Sequence, residues 1–195
     1  MAKLIFIDTE TTGLDSSRHE LIEIAIIIVN DEGKKQWWHK RIAPNHIATA
    51  DPVALEINKY SAEQWADAPT FANIADVLGI MLDGGVLIGH NVAFDIDFIQ
   101  RAFKRCNHRV PRLRGVDTIT LVHEHLTPLG CPGLSMDTVR KYLGWVRPTA
   151  HTATTDVYDV YTLYNLLVRA SVWRRLHILV CHLYRRWVKS TDKNT

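Results

Sequence analysis

The chain has 195 residues, 47% of them hydrophobic and 23% charged, with a formal net charge of +2. That is enough for one full domain with its own core and short for two, and the composition excludes a disordered or low-complexity protein. The charge is uneven: from Arg169 onward seven basic residues face Asp192 alone, a tail of +6 that leaves −4 on residues 1–168, so polyanion binding over the whole surface is excluded and any such binding must be local.

Lys3–Asp8 reads as a buried strand, and Leu21–Asn30 (LIEIAIIIVN) as a second, closed by the turn signal Asn30-Asp31-Glu32-Gly33. Lys35–Ile42 is a third strand, ended by Ala43-Pro44-Asn45; short links between the three suggest an antiparallel meander. The period then changes. Asp51–Tyr60 and Thr70–Leu82 read as helices, and Gly84-Gly85 breaks before a short buried strand, Val86–Gly89. Phe94–Cys106 has apolar residues at helical spacing, and Gly115–Thr118 is a fifth short strand running into a helix. Ser135–Leu143 and Thr155–Leu167 are further helices, with Ser135 and Thr155 as N-cap candidates. Strands first, then strands alternating with helices, predict an α/β protein: a mixed five-stranded sheet flanked by helices.

Three stretches carry the chemistry. Asp8-Thr9-Glu10-Thr11-Thr12-Gly13 ends the first strand, Gly89-His90-Asn91-Val92-Ala93-Phe94-Asp95 joins a strand to a helix, and His151-Thr152-Ala153-Thr154-Thr155-Asp156 leads into another helix. Asp8 and Glu10 are two apart on a strand, so their carboxylates share a face roughly 6–7 Å apart. Sites in α/β sheets collect where strands end and helices begin, so Asp8, Glu10, Asp95 and Asp156 are expected to converge with His151 beside them. Four carboxylates together are unfavourable unless cations neutralise them. Hard oxygen ligands without cysteine suit Mg²⁺ or Mn²⁺, and two such ions can clamp a phosphate between them. His151 supplies a base that titrates near neutrality.

Together and in this order, the stretches resemble the three motifs of the DEDDh, DnaQ-like group of 3′→5′ exonucleases within the ribonuclease H-like fold. All five named positions are filled, and the resemblance spans residues 1 to about 168. Asp117–Leu121 and Ser135–Leu143 stand where that family has similar segments, and the spacing of His151 and Asp156 resembles the histidine subgroup. The resemblance implies that Asp8, Glu10 and Asp156 hold a first metal ion, that Asp8 bridges to a second and that Asp95 acts nearby. It implies that His151 deprotonates the attacking water, that Thr11 and Thr12 meet the terminal 3′-hydroxyl, and that Leu14 wedges against the last base; Asn91 joins these as a substrate-binding candidate. One departure is that Ile57-Asn58 stand where many relatives carry His-Gly, so substrate contacts are not transferred to that segment.

The implied activity is metal-dependent hydrolysis of terminal phosphodiester bonds, releasing nucleoside 5′-monophosphates. The implied partners are nucleic acid 3′ ends, single-stranded DNA ahead of RNA. An exoribonuclease of the same family and a non-catalytic nucleic-acid-binding module stay open, as does association with a polymerase or a second copy of the chain.

Other features have plainer readings. Asp97 is a solvated helix residue, and His123-Glu124-His125 is surface, since His-x-His on a helix does not aim both rings at one ion. Trp37-Trp38 could stack bases, but the plainer sheet reading is that one packs inward and the other covers a sheet edge. Cys106, Cys131 and Cys181 are far apart, with no Cys-x-x-Cys, which predicts free thiols and a cytoplasmic location. The apolar stretch of MAKLIFID is too short for a signal peptide, and no run is long enough for an integral membrane segment. Residues 169–195 read as a basic amphipathic helix: Trp173, Leu176, Val180, Leu183 and Trp187 form a stripe expected to pack on the exonuclease domain of residues 1–168.

Overall fold

The computed structural model describes residues 3–145 and 152–169. They divide into two compact units, one of residues 3–118 with 152–161 and the other of 119–145 with 162–169. The first holds a five-stranded sheet in the order β3-β2-β1-β4-β5. Its strands are β1 (Leu4–Thr11), β2 (Leu21–Val29), β3 (Lys35–Arg41), β4 (Val86–Gly89) and β5 (Arg114–Asp117). β1, β2 and β3 pair antiparallel, whereas β4 lies parallel to both β1 and β5. The mixed ribonuclease H-like sheet expected from the sequence is therefore the observed one.

β2 explains why the sheet is covered on both sides. All nine of its residues are buried, so neither face can be left in water. Ile24, Ile26 and Ile28 join Ile5 and Ile7 against Leu78 and Leu82 of α2 (Phe71–Leu82) and Phe98, Ile99 and Phe103 of α3 (Val92–Arg105). Each such side chain contributes about 1.5–3 kcal/mol on burial. On the other face Phe6 meets the edge of Tyr161 from α6 (Ala153–Tyr164), at 5.0 Å between ring centroids. Register sorts the tryptophans. Trp38 pairs with Ile26 and packs on the α2–α3 core, while Trp37 pairs with Ile27 and lies nearly parallel to Tyr158 of α6.

The second unit contains α5 (Met136–Leu143) and most of α4 (Thr118–His125), and closes around Val122, Leu126, Cys131, Val139, Leu163 and Leu167. Ser135 caps α5, accepting a hydrogen bond from the Thr138 N–H. His123 and Glu124 are exposed, as a surface reading requires. Cys106 and Cys131 are free thiols.

Several boundaries move. β1 runs on to Thr11 instead of stopping at Asp8, because its pairing with β2 continues through Glu10 opposite Glu23 before a bulge. α1 is only Pro52–Ile57, capped by Asp51, and left-handed Lys59 (φ 52°) prevents its continuation to Tyr60. α3 begins at Val92, and α6 at Ala153. Thr155 is thus inside the first turn of α6, and Thr152 takes the capping role: its carbonyl accepts from the N–H groups of Thr155 and Asp156 at 2.9 and 3.0 Å. The predicted C-terminal helix, Cys181 and His151 lie outside the described residues. Among the described residues, no helix is long and apolar enough to cross a membrane.

Candidate metal-dependent nuclease site

Three elements deliver four acids. Asp8 and Glu10 lie on the α6-facing side of β1, as their shared side with Phe6 demands. Asp156 stands in the first turn of α6 and Asp95 in the first turn of α3, where unpaired N–H groups favour negative charge. Carboxylate oxygens of Asp8, Glu10 and Asp156 lie within 4.8 Å of one another. Asp95 comes from the opposite face, only 5% exposed, and accepts a hydrogen bond from Thr9 Oγ1 at 2.7 Å.

The approach of α3 to the sheet depends on Gly89. A Cβ at that position would lie 3.1 Å from Val92 Cβ and 3.2 Å from Asp95 Oδ2, tighter than ordinary contact. Asn91, just before the helix, takes a left-handed conformation (φ 72°) that asparagine tolerates, and its N–H donates to Asp117 Oδ1 at 3.0 Å.

The acids strain one another electrostatically. Burial, then Asp95, Asp156, Glu10 and Glu23, hold the Asp8 carboxyl well above the usual carboxylate range. Burial, followed by Asp156, Glu23 and Asp95, pushes Glu10 up to about 8. Asp95 is raised to about 7, by burial foremost; hydrogen bonds, the one from Thr9 first among them, partly oppose this and Asp117 adds to it. Three oxygens this close, from groups that resist ionising together, fit a hard divalent cation: its charge removes the repulsion that burial amplifies. The donor set contains no sulfur, which would favour softer metals.

The substrate-side candidates fall into two kinds. Thr11 and Thr12 are buried, and their hydroxyls are engaged: Thr11 Oγ1 donates to the Gly13 carbonyl at 2.7 Å, and Thr12 Oγ1 accepts from the Glu20 N–H at 2.9 Å. Leu14 and Asn91 are exposed, Leu14 at 82%. Asn58 Nδ2 donates to the Thr11 carbonyl at 2.8 Å, so the Ile57-Asn58 segment does reach the end of β1. Asp97 accepts from Ser16 Oγ and lies 3.8 Å from Arg101, away from the trio.

Two acids near the site were not singled out from the sequence. Glu23 is 7% exposed, directly opposite Glu10, and is held by His39 Nε2 at 2.8 Å. Asp117, at the end of β5, contributes to the charge around Asp95. The signal for Glu23 is its place as the lone acid in LIEIAIIIV; Asp117 stands at a strand end and opens a segment similar to one in the family, though no role came with it.

A sequence model of the family described as Exonuclease (RNase_T) matches residues 5–164. The chain belongs to this exonuclease family. Within it, the DEDDh pattern of acids and histidine marks it as DnaQ-like, with the ribonuclease H-like fold. It is 30% identical over 175 residues to the DNA polymerase III subunit epsilon of Buchnera aphidicola, covering 85% of this chain and 74% of that one. It is 29% identical over 121 residues to the 3′-5′ exonuclease DinG of Staphylococcus epidermidis, 62% of this chain but 13% of the relative's length. Escherichia coli exonuclease I, solved in complex with a dA16 oligonucleotide, superposes with a TM-score of 0.73 at 18% identity, over 87% of this chain and 42% of that one. At that identity the likeness is one of fold. This exonuclease-family chain therefore spans only part of DinG and of exonuclease I.

Proposed function

We propose that the chain is a metal-dependent 3′→5′ exonuclease that hydrolyses the terminal phosphodiester bond of single-stranded DNA and releases nucleoside 5′-monophosphates. The observation that carries this reading is the meeting of Asp8, Glu10 and Asp156 within 4.8 Å, inside the stretch that the family model matches. Asp8, Glu10 and Asp156 would hold one Mg²⁺ or Mn²⁺, Asp8 would reach a second, and Asp95 would act beside them. Bound there, such ions supply positive charge to the phosphate oxygens and make water more acidic. The protein's own groups do the rest. His151 takes a proton from the attacking water, in the role of general base. The backbone around Thr11 and Thr12 positions the terminal sugar, since both threonine hydroxyls have partners within the loop. Leu14, exposed beside that loop, packs against the last base, and Asn91 faces the substrate from the start of α3.

Residues 1–168 form the exonuclease domain in this proposal, and 169–195 a basic helix packed on it. The relatives named as polymerase subunits motivate a search for a polymerase partner, with a homodimer as the alternative. The test is digestion of matched 5′-labelled DNA and RNA single strands with Mg²⁺ or Mn²⁺. A ladder shortening from the 3′ end on DNA, with slower loss of RNA, is expected. Faster loss of RNA would make the chain an exoribonuclease, and intact strands of both kinds would refute the nuclease reading.

A further inference from the structure

We propose that the α6-facing side of edge strand β3 binds single-stranded DNA upstream of the bond being cut, with a base stacked on Trp37; this rests on the exonuclease reading of the acid site. β3 is the outer strand of the sheet, and its sequence KQWWHKR contains no acid; of its three cations, Lys35 and Arg41 share the α6-facing side and Lys40 alternates to the other. Residues 1–168 as a whole carry −4, so an acid-free strand within them is one place where a local polyanion contact can form.

Register fixes where the strand looks. Lys35, Trp37, His39 and Arg41 alternate onto one side, which is also the side of Asp8 and Glu10: Ala25 pairs with both Asp8 and His39, and Glu23 with both Glu10 and Arg41. Two strand spacings, about 10 Å, separate these rows from β1. A DNA strand with its 3′ end at the acids therefore has neighbouring nucleotides within reach of β3.

Trp37 is built for contact more than for the core. Its neighbour Trp38 fills the α2–α3 core, whereas Trp37 stays 49% exposed. Tyr158 fixes its plane, with the two rings 17° from parallel and 6.1 Å apart. Lys35 Nζ sits 4.3 Å from the Tyr161 ring, a cation held beside the aromatic pair. The other end of the strand is less suited to phosphate. There Arg41 lies over Trp65 and donates to the Gln64 carbonyl, in a cleft of about 370 Å³ that Glu63 and Asp67 also line. His39, held by Glu23, lines that cleft too, so the contact is assigned to Lys35 and Trp37. A second copy of the chain on the same edge is disfavoured, because antiparallel pairing of two such strands would bring their cations together.

The test uses the full chain in chelator, so that nothing is cut, and anisotropy of two labelled strands of equal length: oligodeoxythymidine and its abasic counterpart. Wild type should prefer the strand with bases, and Trp37→Ala should reduce that preference by about tenfold, the size expected for one stacked base. Trp37→Phe should retain most of it at a melting temperature near the wild-type value, and Trp37→Ala, which loses its packing on Tyr158, should melt lower but stay folded at the assay temperature. A preference that ignores Trp37→Ala overturns the proposal, as does a change in solution mass with the preference intact, which would make the edge a protein interface. Nuclease activity of the wild type is scored separately. An active enzyme whose preference ignores Trp37 loses only the stacking site, whereas an inactive protein that still selects bases through Trp37 loses only the exonuclease reading.

Discussion

Without metal, the acid site should cost the protein stability as pH rises, and a divalent cation should restore it. Glu10 is raised to about 8 from 4.5, and Asp95 to about 7 from 3.8, by burial first in both cases. Both folded-state values exceed the unfolded ones, so the folded chain binds more protons throughout the interval between them. The stability these groups contribute is therefore complete below about pH 4 and is lost as pH climbs through 7 and 8. At about 1.36 kcal/mol per pH unit, buried Asp95 alone accounts for about 4 kcal/mol. Glu10 adds less than its shift suggests, because water reaches part of it and screens its charge. For a chain of this size, 4 kcal/mol corresponds to a fall in melting temperature on the order of 10 °C. The assay is calorimetry in chelator from about pH 4 to about pH 8, on wild type and on Asp95→Asn, so that acids elsewhere cancel in the difference. Wild type should lose more stability than the variant across that range. Adding Mg²⁺ or Mn²⁺ should raise the melting temperature, more at the alkaline end, where fewer protons must leave first. A difference that is flat or of opposite sign, or a metal effect independent of pH, would refute the electrostatic account.

Asp8→Ala should abolish cleavage while the protein still folds, with melting in chelator at or above the wild-type temperature, since a repelled carboxylate is gone; wild-type turnover would refute the site. His151→Ala should lower turnover by about 10²–10⁴-fold and leave metal binding by calorimetry largely intact, and the rate's rise with pH as the histidine loses its proton should disappear. An unchanged pH–rate profile would place the base elsewhere. Deleting residues 171–195 should lower the melting temperature with little dependence on salt, because the apolar stripe expected there needs cover. An unchanged melting temperature and solution mass would refute core packing, and a shallower salt dependence of DNA binding would instead assign the basic residues to the strand.

Much of the fold was legible because its signals are local. Val86–Gly89 is bounded by Gly84-Gly85 on one side and a helix start on the other, and the strand appears with those limits. Ser135 caps α5 through its side chain, as its type predicts. The failures are those of competition between local signals. Thr155 and Thr152 are both good caps, and α6 takes the earlier one. β1 outlasts its expected end at Asp8 because pairing with β2 supports Thr9, Glu10 and Thr11 as strand, something no window around those residues contains.

Glu23 shows the same limit inside the site. Its neighbours Leu21–Val29 are otherwise apolar, so periodicity assigns the strand without asking why one acid interrupts it. An acid in a strand buried on both faces must have a partner or a purpose, and that was readable. What was not readable is the register that sets Glu23 opposite Glu10 and, on the other flank, within reach of His39. Register depends on where two turns place three strands, and a shift of one residue would have turned Glu23 to the α2–α3 core. Most motif acids escape this difficulty because Glu10, Asp95 and Asp156 sit near the end or start of an element, where chain direction brings strand ends and helix starts together, and Asp8 shares the side of Glu10 on β1. A residue in mid-strand joins a site only through its neighbours' alignment. For that reason the meeting of Asp8, Glu10 and Asp156 could be read from spacing, and Glu23 needed the sheet.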